Sequence, residues 1–175
     1  MATPDLTPRV LYQRGDHVCT LYNSPDQQLR AAIDFVRGGL ARRERCIYVC
    51  CDQEPEVFRA ALRAAGVDVA ADEARGALIL LTKHDAHLKG GAFNAEVTLD
   101  LLHAAVSDAL AAGFAGLCTA ADMTWLLDQA PGSEHIAEYE ARLNRFLEHN
   151  PAVGLCQYSG SALPASTLEI GRAHV

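Results

Sequence analysis

The sequence lacks the features that place a chain in a membrane or on a nucleic acid. Charged residues interrupt each apolar stretch within about ten residues, which is too short for a membrane span. The start, MATPDLTPRV, has neither the basic region nor the continuous apolar region of a signal peptide. The formal net charge is -7, and the largest basic cluster is the segment ARRER at 41–45. We therefore expect no membrane and no direct nucleic-acid contact.

Motifs of common catalytic and metal sites are also missing. The chain has no G-x-S-x-G nucleophile elbow and no C-x-x-C or H-x-x-x-H pair of metal ligands. The turn NSPDQQL, at 23–29, stands where a nucleotide-binding fold would carry the glycines and the lysine of its phosphate loop. Without those residues, the backbone cannot curl around a phosphate and nothing offsets its charge. We predict a non-catalytic protein with no cofactor.

The six cysteines indicate the redox compartment. Cys46, Cys50, Cys118 and Cys156 lie inside apolar runs, where reduced thiols behave as small hydrophobic side chains. Disulfides persist mainly in oxidising compartments, so buried reduced thiols predict a cytoplasmic protein.

The remaining pattern predicts one α/β domain, since half of the 175 residues are apolar. Predicted strands, some with their exit turns, lie at 17–22, 45–51, 77–82, 113–123 and 153–159. The helices between them include those at 95–112 and 135–150, and the predicted boundaries are Ser24 as an N-cap before Pro25, Gly66 as a stop and Pro151 as a stop. Continuous hydrophobicity is typical of buried parallel strands. We expect a three-layer, mostly parallel five-stranded sheet with helices on both faces.

Candidate site residues follow the strands, because ligands usually bind beyond the carboxyl ends of a parallel sheet. Asp52, Gln53 and Glu54 follow the second strand, and Asp85 follows the third. The predicted ligand-binding residues are His17, Cys19, Tyr22, Glu54, Asp85, Asp122, Met123 and Trp125. A structural interpretation stays open for each: acidic residues at strand ends also cap helices, and a lone tryptophan often belongs to the core.

A thiol or metal redox sensor is the alternative. His17 and Cys19 are two residues apart on a predicted strand, so their side chains share one face. With Cys50 and Cys51 they would supply four metal ligands, but the spacing is weakly specific, and buried thiols with a hydrogen-bonded histidine are the simpler interpretation. A third hypothesis is a degenerate nucleotide-binding domain used for docking.

Four segments, in this order, carry a resemblance to a known family: GDHVCTLYNSPDQQL, ERCIYVCCDQEP, ADMTWLLDQAPGSEHIAEYEARLN and GLCQYS. They are similar to the MEDS domain, the methanogen and methylotroph DcmR sensory domain, from about Asp16 to Tyr158. The resemblance implies sensing of small hydrocarbon derivatives, alone or joined to a histidine-kinase or DNA-binding module. It implies signalling rather than turnover.

The same family is similar in layout to RecA-like ATPases of the circadian-clock type, which implies a RecA-like fold without the Walker A loop. By position, NSPDQQL replaces the phosphate loop, Asp52 to Glu54 match the acidic catalytic turn, and Asp122 falls near the magnesium-holding aspartate. The resemblance thus implies a pocket reused for an uncharged, mostly apolar small molecule. Homo-oligomers are a further expectation, because RecA-like proteins form rings or dimers.

The expected domain boundaries are a leader at 1–15, the sensory domain at 16–160 and a tail at 161–175. After Tyr158, the segment SGSALPAST lacks the aspartate and the apolar-aromatic stretch that the family usually carries. The final EIGRAHV, at 169–175, matches what a common sequencing adaptor preceded by one G encodes in one reading frame. We expect the natural sequence to differ beyond about Leu168.

Overall fold

Strands and helices alternate along residues 12–51 and 54–172, which are the residues that the computed structural model describes. The strands are β1 (His17–Tyr22), β2 (Arg45–Cys50), β3 (Leu78–Thr82), β4 (Leu117–Asp122) and β5 (Ala152–Ser159). The helices are α1 (Pro25–Ala41), α2 (Pro55–Ala64), α3 (Val69–Ala74), α4 (Ala95–Ala111), α5 (Ile136–His149) and α6 (Ala165–Arg172). Two short 3-10 helices, Met123–Asp128 and Ser133–His135, connect β4 to α5.

The five strands form one parallel sheet in the order β1-β5-β4-β2-β3. Its register places Cys19 opposite Cys156, and Cys156 opposite Ala121. Cys46 stands opposite Cys118, three residues before Ala121 on β4. Because side chains alternate along a strand, the two cysteine pairs lie on opposite faces of the sheet.

Helices cover both faces of this sheet. On one face α1, α2 and α3 bury Phe35, Phe58 and Val69 respectively. On the other, α4 and α5 bury Leu99 and Leu143. The predicted three-layer α/β architecture is confirmed, and every strand pair is parallel.

The start of α1 is closed by side chains of the same turn. Ser24 Oγ accepts a hydrogen bond from Gln27 N at 3.3 Å, and Gln27 Oε1 accepts one from Asn23 N at 2.9 Å. This reciprocal arrangement resembles a capping box shifted by one residue, and Pro25 begins the helix as predicted. The Gln27 amide, one of those that would bind a phosphate at this helix start, is thus paired within the chain.

Helix α1 approaches the sheet closely at Gly39. A Cβ atom there would lie 2.6 Å from Cys118 Sγ and 2.7 Å from Cys46 Sγ. Cys46 Sγ lies 3.5 Å from Val36 O, and Cys118 Sγ lies 3.8 Å from Phe35 O. Because only a glycine leaves room for the two sulfur atoms, α1 rests directly on β2 and β4.

The sequence pattern does not predict α3 or α6. Helix α3 has six residues and begins at Asp68, whose Oδ1 accepts a hydrogen bond from Ala71 N at 3.1 Å. Helix α6 lies within the segment expected to be a tail. The leader residues 1–11 and the last residues 173–175 lie outside the described part of the chain. Within the described part, no helix has both the length and the hydrophobicity needed to cross a lipid bilayer.

Candidate functional site

Hydrogen bonds join the carboxyl ends of β1 and β4. Tyr22 Oη donates to Asp122 Oδ1 at 3.1 Å, and burial together with that charge raises the pKa of Tyr22. Asp122 also accepts from Thr124 N at 3.1 Å and from Thr124 Oγ1 at 2.9 Å, so it caps the 3-10 helix that follows. Met123 and Trp125 in that helix are 0% exposed and belong to the core. The structural interpretation therefore accounts for these residues, and their ligand-binding role stays a prediction.

The other acidic candidates are exposed. Glu54 occupies the N-cap position of α2 without a side-chain capping hydrogen bond. Asp85 Oδ2 accepts from Thr82 Oγ1 at 2.7 Å and from Thr82 N at 2.9 Å, and these bonds lower the pKa of Asp85. Asp52 and Gln53 lie outside the described residues.

A cavity of about 170 Å³ lies between the sheet and helices α4 and α5. Its apolar lining includes Ile47, Val49, Leu81 and Ala121 from the sheet, Leu101, Leu102 and Ala105 from α4, and Leu143 from α5. Of the eight predicted ligand-binding residues, Asp85 is the one that lines this cavity. An apolar cavity of about 150 Å³ is large enough to bind benzene. The cavity can therefore hold a small organic molecule.

His87 is a buried polar residue on the cavity wall, in the loop after β3. Its ring stacks on Trp125 with the ring centres 5.1 Å apart, and Phe93 packs on the same tryptophan at 4.8 Å. His87 Nδ1 has no hydrogen-bond partner among the described residues. Burial lowers the pKa of His87 to about 4, so its ring is neutral at pH 7. A ligand with one hydrogen-bonding group would satisfy this nitrogen.

A polar cluster lies beside the cavity, between β1, β5 and α5. His17 Nε2 is 3.2 Å from Glu140 Oε2, 3.3 Å from Cys156 Sγ and 3.9 Å from Cys19 Sγ. His17 Nδ1 is 2.5 Å from Asn144 Oδ1. Ligand atoms of His17, Cys19 and Glu140 all lie within 4.8 Å of one another, an arrangement that can hold a metal ion. The site thus combines imidazole, thiol and carboxylate groups in a buried position.

Burial and mutual contacts alter the proton affinities of this cluster. Burial raises the pKa of Glu140 to about 7, although the nearby His17 acts in the opposite direction. Burial disfavours the protonated form of His17, but its hydrogen bond to Cys19 and the charge of Glu140 outweigh that effect and raise its pKa. The hydrogen bond to Cys19, followed by burial, raises the pKa of Cys156. Near neutral pH, the cluster therefore favours retaining a proton between His17 and Glu140.

Cys50 and Cys51 do not reach this cluster. Cys19 stands level with Val49 of β2, and strands β5 and β4 lie between them. Three strand spacings amount to about 14 Å. Cys50 belongs to the core under α1, and Cys51 Sγ donates to Asp122 O at 2.8 Å. The structure therefore does not bring together the four ligands of the predicted metal site.

Sequence reasoning misses Glu140, Cys156 and His87 as site residues. Glu138 and Arg142 are four residues apart and form a surface ion pair at 3.5 Å, which makes the E-Y-E segment look like an ordinary charged helix face. Glu140 nevertheless falls four residues after Ile136, within the apolar stripe that α5 turns inward. That helical period is the signal that could have identified it.

The sheet order and its two helical layers define a RecA-like α/β protein, and solved structures agree. A KaiC-like protein from the archaeon Pyrococcus horikoshii is 15% identical with a TM-score of 0.64, over 94% of this chain and 69% of that chain. The flagellar accessory protein FlaH from Methanocaldococcus jannaschii is 14% identical with a TM-score of 0.69, over 94% and 70% respectively. Residues 16–174 match the family model described as the methanogen/methylotroph, DcmR sensory domain, or MEDS. The chain belongs to this family, and its role is sensory.

A curated relative connects the family to transcription. The transcriptional repressor DcmR of Methylorubrum extorquens is 27% identical over 146 residues, which is 82% of this chain and 51% of the repressor. The chain thus spans about half the length of this relative. The family and the RecA-like fold expected from the sequence are confirmed.

Proposed function

We propose that this chain is a non-catalytic sensory domain that binds a small, mostly apolar organic molecule between the sheet and helices α4 and α5. The observation that carries the proposal is the cavity of about 170 Å³ with its largely apolar lining. His87 Nδ1 adds one unsatisfied polar atom on a residue of its wall. The ligand would be about the size of benzene or a short-chain alcohol, with one hydrogen-bonding group.

Two observations favour binding over nucleotide chemistry. The side chains of Ser24 and Gln27 pair the amides of Gln27 and Asn23 around the helix start where a phosphate would bind. Asp122, the residue that falls near a magnesium-holding aspartate by resemblance, uses its carboxylate to accept from Tyr22 and Thr124. Both positions are engaged in local structure, which supports a binding domain without turnover.

The regulatory output would come from another module. The repressor relative is about twice as long as the matched segment, so a DNA-binding or kinase module joined to or contacting this domain would read its occupancy. The reduced thiols among the described residues favour a cytoplasmic location. The domain itself would neither enter a membrane nor touch DNA.

Trp125 fluorescence tests the proposal, because Trp125 is the single tryptophan and stacks on the cavity residue His87. Benzene and phenol are matched probes of similar size. We expect both to change the emission and to raise the melting temperature. Phenol should bind about three- to tenfold more tightly, because its hydroxyl group can pair with His87.

Two neighbouring alanines of α4 supply the control. Ala105 lines the cavity, whereas Ala104 is exposed on the same helix. Ala105→Phe should fill the cavity and abolish binding of both probes, and Ala104→Phe should leave binding unchanged. Unaltered emission and melting temperature with both probes would refute the proposal, and so would equal binding by the two variants.

A further inference from the structure

The polar cluster between β1, β5 and α5 has the composition of a metal site. His17 and Cys19 come from β1, Glu140 from α5 and Cys156 from β5. The relative exposures of the His17 and Glu140 side chains are 3% and 0%, and both thiols are buried. Four ligand-type side chains from three elements therefore meet in a buried position, although no two of them form a familiar sequence motif.

The distances from His17 Nε2 to the other three side chains match those between ligands of a tetrahedral ion, and His17, Cys19 and Glu140 also place ligand atoms within 4.8 Å of one another. Normal zinc bond lengths place a nitrogen and an oxygen ligand about 3.4 Å apart, and a nitrogen and a sulfur ligand about 3.6 Å apart. The observed separations from His17 Nε2 are 3.2 Å to Glu140 Oε2, 3.3 Å to Cys156 Sγ and 3.9 Å to Cys19 Sγ. Each lies within a few tenths of an ångström of the expected value.

A second, independent observation is the unsatisfied oxygen of Glu140. Its Oε2 atom is buried and forms an ion-pair contact with His17 Nε2 at 3.2 Å, but no hydrogen bond of normal geometry reaches it from the described residues. When His17 Nδ1 donates its proton to Asn144 Oδ1, Nε2 presents a lone pair to this oxygen. Two facing lone pairs repel each other in a dry interior, so either a proton or a metal ion lies between these atoms.

The surrounding hydrogen bonds orient these ligands. Asn144 Oδ1 fixes the ring of His17, and Tyr158 Oη donates to Glu140 Oε1 at 2.5 Å. Outer hydrogen bonds of this kind, to the second nitrogen of a histidine and to the second oxygen of a carboxylate, are typical of metal sites. They leave Nε2 and Oε2 as the atoms that face the thiols.

We propose that His17, Cys19, Cys156 and Glu140 bind one divalent transition-metal ion of the zinc type. Thiolate and imidazole ligands favour such an ion over magnesium or calcium, which prefer oxygen ligands. Four protein ligands leave no open position, so the ion is structural and fixes β1 and β5 to α5. Ion binding releases the protons of the two thiols, which become thiolates.

The metal site and the apolar cavity share a wall. Cys156 lines the cavity, as do Tyr139 and Leu143, the neighbours of Glu140 and Asn144 in α5. The ion therefore fixes part of the cavity wall. The assignment of the ion rests on the cluster alone and does not depend on the proposed apolar ligand.

Cobalt(II) titration of reduced, chelator-treated protein tests the metal site, because tetrahedral cobalt–thiolate complexes absorb visible light strongly. We expect one cobalt ion per chain, thiolate-to-cobalt charge-transfer absorption and displacement by zinc. Cys19→Ala and Cys156→Ala should each remove that absorption. Cys46→Ala and Cys118→Ala are matched controls, since they remove the other cross-strand thiol pair, and both should retain it.

Two milder variants keep the test decisive if a cysteine variant fails to fold. Glu140→Gln and Asn144→Ala should weaken cobalt binding about 10- to 100-fold, while melting curves measured in chelator stay close to that of the unaltered protein. Absence of charge-transfer absorption in the unaltered protein would overturn the proposal. Cobalt binding that survives the Cys19/Cys156 double replacement would also overturn it. Because no organic probe is present, either failure leaves the apolar-ligand proposal standing.

Discussion

The two cross-strand cysteine pairs show how differently the two faces of the sheet are built. Cys46 and Cys118 face α1, where Gly39 brings the helix backbone against both sulfur atoms. Cys19 and Cys156 face α5, where they meet a buried imidazole and a buried carboxylate. Both pairs have the same side-by-side register. The two pairs therefore differ in their neighbouring groups and not in their own arrangement. One pair is part of the packed core, and the other belongs to a candidate set of metal ligands.

The same contrast holds for the aromatic side chains of the two faces. Under the α1 layer, Tyr48 and Phe58 stack with ring centres 4.1 Å apart. On the α4–α5 side, Trp125 stacks on His87, which borders the cavity and keeps an unsatisfied nitrogen. One face of this fold is thus closely packed, while the opposite face carries the cavity and the polar cluster.

The largest expected effect concerns His87 and the pH dependence of stability. The unfolded chain protonates this ring below a pH of about 6.5, whereas the folded protein does so near its pKa of about 4. Between these values the unfolded state binds more protons, so the free energy of unfolding decreases as the pH falls. Relative to His87→Phe, the unaltered protein should lose about 3 kcal/mol between pH 7 and pH 4, measured by urea unfolding.

The effect of His87 is measured against His87→Phe because Glu140 changes the free energy of unfolding in the opposite direction as the pH falls. Its pKa of about 7 in the metal-free protein lies above the usual value, so, in chelator, its protonation favours the folded state as the pH falls. His84→Phe, at an exposed position in the same loop as His87, is the matched control and should follow the unaltered protein. Parallel pH profiles for the unaltered protein and His87→Phe would contradict the assignment of a buried neutral histidine.

The next effect tests the close packing of the α1 face. In Gly39→Ala the new methyl group would meet the sulfur atoms of Cys46 and Cys118, so we expect a loss of about 1–3 kcal/mol in the free energy of unfolding. In Gly38→Ala the nearest atom is the flexible end of Arg42, at 3.2 Å. Urea unfolding should show that this neighbouring variant gains up to about 1 kcal/mol, because alanine favours the helix. Equal changes in the free energy of unfolding for the two substitutions would contradict the close packing of α1 on the sheet at Gly39.

The smallest effect concerns charges at the surface of each layer. Lys83 Nζ lies 2.6 Å from Asp128 Oδ2 on the α4–α5 side, and Arg59 Nε lies 2.8 Å from Glu73 Oε1 on the other. Since all four side chains are partly exposed, double-mutant cycles should give about 0.2–1 kcal/mol for each pair, decreasing with added salt. A much larger coupling energy for one pair would show that the two faces also differ in their surface ion pairs.

Much of the fold was predictable because its signals are local. Strand β1 has the predicted limits, and the Ser24-Pro25 start of α1 is encoded within one turn. The continuous apolar runs predicted parallel pairing, which the register confirms. Helix α3 was not predicted, because the segment VAADEA is too short to show a helical period.

The candidate site was less predictable because it depends on packing between distant elements. Trp125 stands beside a strand end in the sequence, and only the packing of Phe93 and His87 shows that it is core. Cys156 becomes a neighbour of Cys19 through the strand order, in which β5 inserts between β1 and β4. One sequence does not specify that order, so the sequence pattern indicated Cys50 and Cys51 as the partners of Cys19 instead of Cys156.

The contact at Gly39 has a consequence for movement within the domain. Helix α1 has no clearance above the sheet, so a displacement caused by filling the cavity falls on α4 and α5. The sheet with α1 is then the fixed frame, and the opposite layer is the part that shifts. Val97 and Leu110 are 45% and 46% exposed on α4, where a neighbouring module could register that shift. Under the proposed function, ligand binding would therefore move α4 and α5 rather than α1.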